Sequence, residues 1–152
     1  LGLANSRARL RMTTLYQIAQ VYSGIVVGTG NKVEDFGVGF YTKYGDGGVD
    51  ISPIADLTKT EVREMARELG VSEEILLAPP TDGLWDDGRT DEDQIGATYE
   101  ELEWCMAFDG DLDDLTERQQ EVMEIYNRFH AQNKHKMIPI PVYTRALNEI
   151  TH

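Results

Sequence analysis

GTGNKVEDFGVGFYTKYGDGGVD, residues 28–50, follows the apolar run Ile25-Val26-Val27 and decides how the chain is read. Seven glycines, two lysines and four acidic residues fall within its 23 positions. Each interior glycine costs a helix roughly 0.5–1 kcal/mol relative to alanine, so no regular helix is expected here. Glycine-rich backbone can instead bring N–H groups, a hydroxyl and lysines up to an anionic ligand. A surface loop with turn glycines is the alternative.

Working outward toward the N-terminus, residues 24–29 read as a short buried strand, Ile25-Val26-Val27 closed by Gly28. Before it, residues 5–22 read as a helix, with Met12, Leu15, Ala19 and Tyr22 at i, i+3, i+7 and i+10. Asn5 or Ser6 can cap its start and Gly24 can end it. Arg7, Arg9 and Arg11 crowd its first turns, where the helix dipole is positive, so an anion is expected nearby. A helix leading into a strand predicts an α/β domain with a parallel sheet. Thr29 then lies just past the carboxyl end of the strand, where open α/β sheets bind ligands. Glu34 is five residues further on and is a candidate magnesium ligand, although a lone glutamate is more often merely solvated.

Toward the C-terminus, Gly45-Asp46-Gly47-Gly48 is a strong turn signal, with Lys43 just before it. Thr58-Lys59-Thr60-Glu61 is a capping box that opens a helix carrying Val62, Met65, Ala66 and Leu69, ended by Gly70. Lys59 takes the first helical position, again electrostatically poor unless it faces an anion. Ser72 is placed to cap a short turn with Ile75 and Leu76. Residues 81–93 read as an acidic, solvated and mobile loop without the spacing of an EF-hand, with Thr90 capping a short helix. Thr98-Tyr99-Glu100-Glu101 and Thr116-Glu117-Arg118-Gln119 are two further boxes. The last helix, with Val122, Ile125, Tyr126 and Phe129 on one face, is expected to end near Asn133, before Lys134-His135-Lys136.

The composition narrows the classes. The 152 residues suit one domain, and 41% apolar with 27% charged residues is a globular profile. A net charge of −13 argues against non-specific nucleic-acid binding and against an anionic membrane surface. It leaves a nucleotide ligand open, since local cations and a divalent ion can outweigh the global sign. The single Cys105 cannot form an internal disulfide, which suits the cytoplasm. No run approaches the ~20 apolar residues of a membrane span.

In order along the chain stand Ala8-Arg9-Leu10-Arg11-Met12, Val27-Gly28-Thr29, Glu34, Phe40-Tyr41-Thr42-Lys43-Tyr44-Gly45-Asp46-Gly47-Gly48-Val49-Asp50, Leu57-Thr58-Lys59, Pro80-Thr81, Asp91-Glu92 and His135-Lys136. With these blocks the chain resembles ammonia-dependent NAD synthetases, within the ATP pyrophosphatase superfamily, over nearly its whole length. The resemblance implies a Rossmann-like, adenine-nucleotide-hydrolase-type parallel sheet with flanking helices. It implies a ligase that amidates deamido-NAD with ammonia, using ATP and Mg²⁺, through an adenylyl intermediate. It assigns Arg9, Lys43, Asp50, His135 and Lys136 to deamido-NAD, Thr29, Lys59 and Thr81 to ATP, and Glu34 to magnesium. No side-chain nucleophile is implied, because the substrate carboxylate attacks. A homodimer is implied, with the apolar helices 10–22 and 122–129 as candidate interface or core elements.

The family's Ser-Gly-Gly-x-Asp-Ser phosphate loop does not occur in this sequence. Residues 1–152 are therefore expected to be the C-terminal part of a single synthetase domain, catalytically incomplete as they stand. Two other readings compete: a non-catalytic nucleotide-binding or dimerisation fragment, and another ATP pyrophosphatase that adenylates a different substrate.

Overall fold

A computed structural model describes residues 1–143. Helix α1 (Gly2–Val21) starts three residues earlier than the sequence signals placed it. Neither Asn5 nor Ser6 caps it; the Ser6 hydroxyl donates back to the Gly2 carbonyl at 3.0 Å. The chain turns out of α1 through Ser23 in the left-handed region, and the Gly24 N–H closes the end on the Ala19 carbonyl. A single π-helical turn, Val33–Val38, follows, and then α2 (Lys59–Glu68), α3 (Glu73–Leu76), α4 (Asp91–Ile95), α5 (Tyr99–Ala107) and α6 (Glu117–Met137).

Four threonines set this framework. Thr58, Thr90, Thr98 and Thr116 each accept from the backbone N–H three residues on, and the side chain there bonds back to the cap. Each box satisfies two of the donors a helix start leaves unpaired, which fixes where α2, α4, α5 and α6 begin. Ser72 precedes α3 as expected but makes no side-chain cap bond. Helix α6 runs past Asn133 to Met137, so Lys134, His135 and Lys136 form its last turn rather than following it. Cations favour that end of a helix, and only Pro139 forbids continuation.

The core lies between the π turn, α5 and α6. Val33, Val38, Ile95, Ala97, Tyr99, Leu102, Cys105 and Val122 are buried there, with Phe40, Met106, Tyr126 and Phe129 packed against them. The α6 side of this core also secures the π turn. His130 Nδ1 donates to the Gly37 carbonyl, Asn133 Nδ2 to Val38 and Lys136 Nζ to Gly39, at 2.8, 2.9 and 2.8 Å. Gly39 reverses the chain at φ 62°, against the Asn133 side chain, where a β-carbon would collide.

Helix α1 buries only Ala4 and Ala8. These small residues let the glycine turn 42–48 come close: a β-carbon at Gly45 would sit 2.9 Å from those of Ala8 and Thr42. Thr42 Oγ1 donates to Asn5 Oδ1 at 2.8 Å across the same contact. The outer side of α1 stays open, with Leu10, Leu15, Ile18 and Val21 exposed and Tyr22 exposed just beyond its end.

The parallel sheet expected from the sequence is reduced, among the described residues, to one parallel bridge between Val27 and Ile51. The Gly28 N–H donates to the Ile51 carbonyl at 2.7 Å, and the Asp50 N–H to Val26 at 2.9 Å. Of the expected strand's apolar side chains only Val26 is buried; Ile25, Val27 and Ile51 are 59%, 50% and 46% exposed. A strand paired on one side leaves its other edge and its apolar face uncovered, which accounts for the shortfall. No helix among the described residues is long and apolar enough to cross a membrane.

Candidate functional site

Two polar clusters flank the π turn. The first is built by its opening residues, α2, α4 and α5. Asn31 Oδ1 accepts from the Val33 and Glu34 N–H groups and so acts as the cap of the turn. This aims Glu34 toward the start of α2, where Lys59 Nζ meets Glu34 Oε1 at 3.0 Å. Both side chains are largely buried, at 23% and 15% exposure. The Tyr99 hydroxyl lies 2.7 Å from the same Oε1 and 3.2 Å from Asp91 Oδ2. The Lys59 ammonium also sits 4.7 Å from the Tyr99 ring centroid, within cation–π range. The Asn31 N–H occupies Glu34 Oε2 at 3.1 Å.

This cluster is short of positive charge. Asp91 is buried, and its Oδ1 has no hydrogen-bond partner. Burial raises the Asp91 carboxyl above the usual range, against the lowering effect of the Tyr99 hydrogen bond. Burial also pushes the Tyr99 phenol up, with the Glu34 charge adding to it, so the phenol stays protonated. No group of three His, Cys, Asp or Glu side chains suited to a metal occurs among the described residues. Magnesium does not need one: it is held by one or two carboxylates, the remaining positions going to water and phosphate oxygens. Glu34, with the unpartnered Asp91 oxygen in the same cluster, fits that demand.

The second cluster surrounds the glycine turn. A pocket of about 110 Å³ is lined by Asp35, Phe36, Tyr41, Asp46, Val49 and Lys136, among others. Desolvation raises the Asp35 carboxyl to about 6, with the Glu34 and Asp46 charges adding to it. The Tyr41 phenol is pushed up to about 12, chiefly by burial. Burial lowers Lys136, which donates to the Gly39 and Tyr41 carbonyls at 2.8 and 2.7 Å. At the rim, Arg9 Nε donates to the Lys43 carbonyl at 3.2 Å, and Lys43 Nζ to the His135 carbonyl at 2.9 Å. Residues 9, 43, 135 and 136 therefore converge, although three separate elements carry them.

The other residues singled out in the sequence stand apart from these two clusters. Asp50 uses both carboxylate oxygens locally, Oδ2 on the Val26 N–H at 2.7 Å and Oδ1 on the Tyr16 hydroxyl at 3.2 Å. It braces the parallel bridge. Thr29 is exposed beyond that bridge, and Thr81 is exposed at the start of the acidic loop. That loop is anchored by the early arginines: Arg7 donates to the Leu84 carbonyl at 2.8 Å, and Arg11 to Asp82 and Gly83 at 3.2 and 2.9 Å. The anion expected beside α1 is thus in part a set of loop carbonyls, with Asp86 3.6 Å from Arg7.

Sequence reasoning assigned no role to Asp35, Tyr41, Asp46, Asp91 or Tyr99. Tyr41 and Asp46 stand in the glycine-rich block and Asp91 in the Asp-Glu pair, so order along the chain could have pointed to them. Nothing local distinguishes Tyr99, because its partner Glu34 lies 65 positions away.

The comparisons bear on this geometry. A protein-family model described as NAD synthase matches residues 1–141. An NH(3)-dependent NAD(+) synthetase of Methanococcoides burtonii is 57% identical over 99 residues, covering 65% of this chain and 37% of that protein. Another, from Alkaliphilus metalliredigens, is 46% identical over 139 residues, 91% of this chain and 53% of the relative. The chain spans about half the length of the curated relatives it matches, or less. A solved structure titled NMN synthetase from Francisella tularensis aligns with TM-score 0.79 at 38% identity, covering 93% of this chain and 56% of that one. An NH3-dependent NAD synthetase from Campylobacter jejuni shares the fold, with TM-score 0.66 at 24% identity over 92% of this chain and 54% of the other.

Proposed function

The chain belongs to the NAD synthase family, and we propose that it forms part of an ammonia-dependent NAD synthetase in which the Lys59 cluster faces ATP and the Lys43 cluster faces deamido-NAD. The observation that carries this reading is the convergence of Arg9, Lys43, His135 and Lys136 at one end of the π turn, while Glu34 and Lys59 meet at the other.

The chemistry joins two anions. A carboxylate oxygen of deamido-NAD attacks the α-phosphorus of ATP, and the bond to pyrophosphate breaks. Ammonia then attacks the acyl carbon, AMP leaves with the former carboxylate oxygen, and the nitrogen gives up a proton. Like charges repel on approach, so fixed cations that also stabilise charge developing at phosphorus are the largest expected contribution. Lys59 is preorganised for this: Glu34 and the Tyr99 ring hold its ammonium before any ligand arrives. Magnesium held by Glu34 would supply further charge stabilisation at the phosphate oxygens. Thr29 and Thr81 are available to phosphate or ribose, being exposed. Arg9, Lys43, His135 and Lys136 orient the dinucleotide, and Asp50 contributes through the backbone it braces. Positioning is the remaining work, and no side-chain nucleophile is required.

The open apolar side of α1 supports a homodimer, or pairing with further parts of the enzyme. The exposed Ile25, Val27 and Ile51 beside a single bridge support a larger parallel sheet that continues from it. The lone, buried Cys105 supports the cytoplasm. The Francisella tularensis structure favours a second reading, an enzyme whose product is NMN, distinguished by whether a mononucleotide competes with deamido-NAD.

Lys43→Ala and Lys59→Ala test the assignment through ligand-induced shifts in melting temperature. Lys43→Ala is expected to lose the response to deamido-NAD and keep that to Mg-ATP, and Lys59→Ala to show the reverse. Equal loss of both responses in both variants overturns the separation of the two sites.

A further inference from the structure

Tyr99 touches Glu34, Asp91 and Lys59 in the first cluster, through its hydroxyl and its ring. Its place is fixed from three sides. It is the first residue of α5, set by the Thr98 box. Its N–H donates to Glu92 Oε1 at 3.0 Å. Its side chain has no solvent exposure and packs in the central core. Only the hydroxyl leaves the apolar environment, and it ends between two carboxylates.

We propose that Tyr99 is the positioning residue of the Glu34–Lys59 pair, its hydroxyl fixing the Glu34 carboxylate and its ring seating the Lys59 ammonium. This rests on the reading of Glu34 and Lys59 as the magnesium–ATP side of the site. The two halves of the side chain act separately. A phenylalanine would fill the same core volume and offer the same π face to Lys59 at 4.7 Å. It could not reach Glu34 with a donor. The phenol has one proton and two acceptors, and the shorter contact, 2.7 Å against 3.2 Å, gives that proton to Glu34. Glu34 Oε1 is then held from two directions, by a flexible ammonium and by a group anchored in the core. Removing the anchored partner leaves Lys59 and the Asn31 N–H, which restrain the carboxylate but do not tie it to α5.

The experiment is a double-mutant cycle followed by a binding measurement, both on this chain. Tyr99→Phe keeps the ring, so the variant is expected to fold. In the parent background it should shift the unfolding equilibrium constant by roughly tenfold, as expected for a lost hydrogen bond to a charged acceptor. In a Glu34→Ala background the same substitution should shift it less than threefold. Equal shifts in both backgrounds would overturn the proposed contact. The functional half is read by calorimetry: Tyr99→Phe should weaken magnesium-dependent ATP binding roughly tenfold and leave magnesium-free ATP binding unchanged. Coupling in the cycle with unaltered magnesium dependence would reduce Tyr99 to a structural residue and overturn the positioning role. Failure of the parent chain to bind Mg-ATP, with the coupling present, would instead refute the assignment of Glu34 and Lys59 on which the inference rests.

Discussion

Replacing Asp35 by asparagine should stabilise the protein at neutral pH and do nothing in acid. The Asp35 carboxyl lines the pocket by the glycine turn and is raised from 3.8 to about 6, first by desolvation, then by the Glu34 and Asp46 charges. No hydrogen bond to its side chain compensates among the described residues. A raised carboxyl binds its proton more tightly folded than unfolded, so ionising it disfavours the native state. The penalty is absent below pH 3.8, grows between pH 3.8 and about 6, and is complete above that. At about 1.4 kcal/mol for each tenfold change in proton affinity, the upper bound is about 3 kcal/mol. The group is only partly buried, and solvent screening reduces this to roughly 1 kcal/mol. Asparagine is nearly isosteric and carries no charge, so Asp35→Asn should raise the melting temperature at pH 7.5 by about 2–4 °C. Near pH 3.8 the parent and the variant should converge. Urea unfolding of both proteins across this range gives the answer. An equal or lower stability of Asp35→Asn at pH 7.5 would refute the reasoning.

Two further outcomes follow from packing and capping. Gly45→Ala should destabilise by about 1–3 kcal/mol, since its β-carbon would press on Ala8 and Thr42 and push α1 off the glycine turn; unchanged urea unfolding would show that this contact yields freely. Thr58→Ala removes the box that starts α2 and should cost about 1 kcal/mol, with a small loss of helical circular dichroism; an unaltered spectrum and midpoint would mean that tertiary packing alone fixes α2.

The starts of α2, α4, α5 and α6 were legible because a capping box is a local device, whereas α1 begins without one, three residues before its expected start. Thr58, Thr90, Thr98 and Thr116 each find their partner three residues away, so the sequence contains the whole interaction. Helix ends were less so. Asn133 looked like a stop, but its side chain caps the π turn instead, and α6 continues to Met137. Ile25-Val26-Val27 has strand composition, yet a strand also needs neighbours, and here it has one bridging partner. At the site, the resemblance named residues whose convergence composition could not foretell. Lys43 meets His135 across 92 positions and Lys59 meets Glu34 across 25. Arg7 and Arg11 were legible as unusual but not in their use, because their partners are loop carbonyls more than 70 residues on.

Calorimetric titration of the 152-residue chain with deamido-NAD, with and without Mg-ATP, tests the central claim most directly. Saturable one-site binding, lost in Lys43→Ala, is the predicted result, and would mean that Arg9, Lys43, His135 and Lys136 assemble the dinucleotide site. Absence of binding by a chain shown to be folded by circular dichroism would contradict the account.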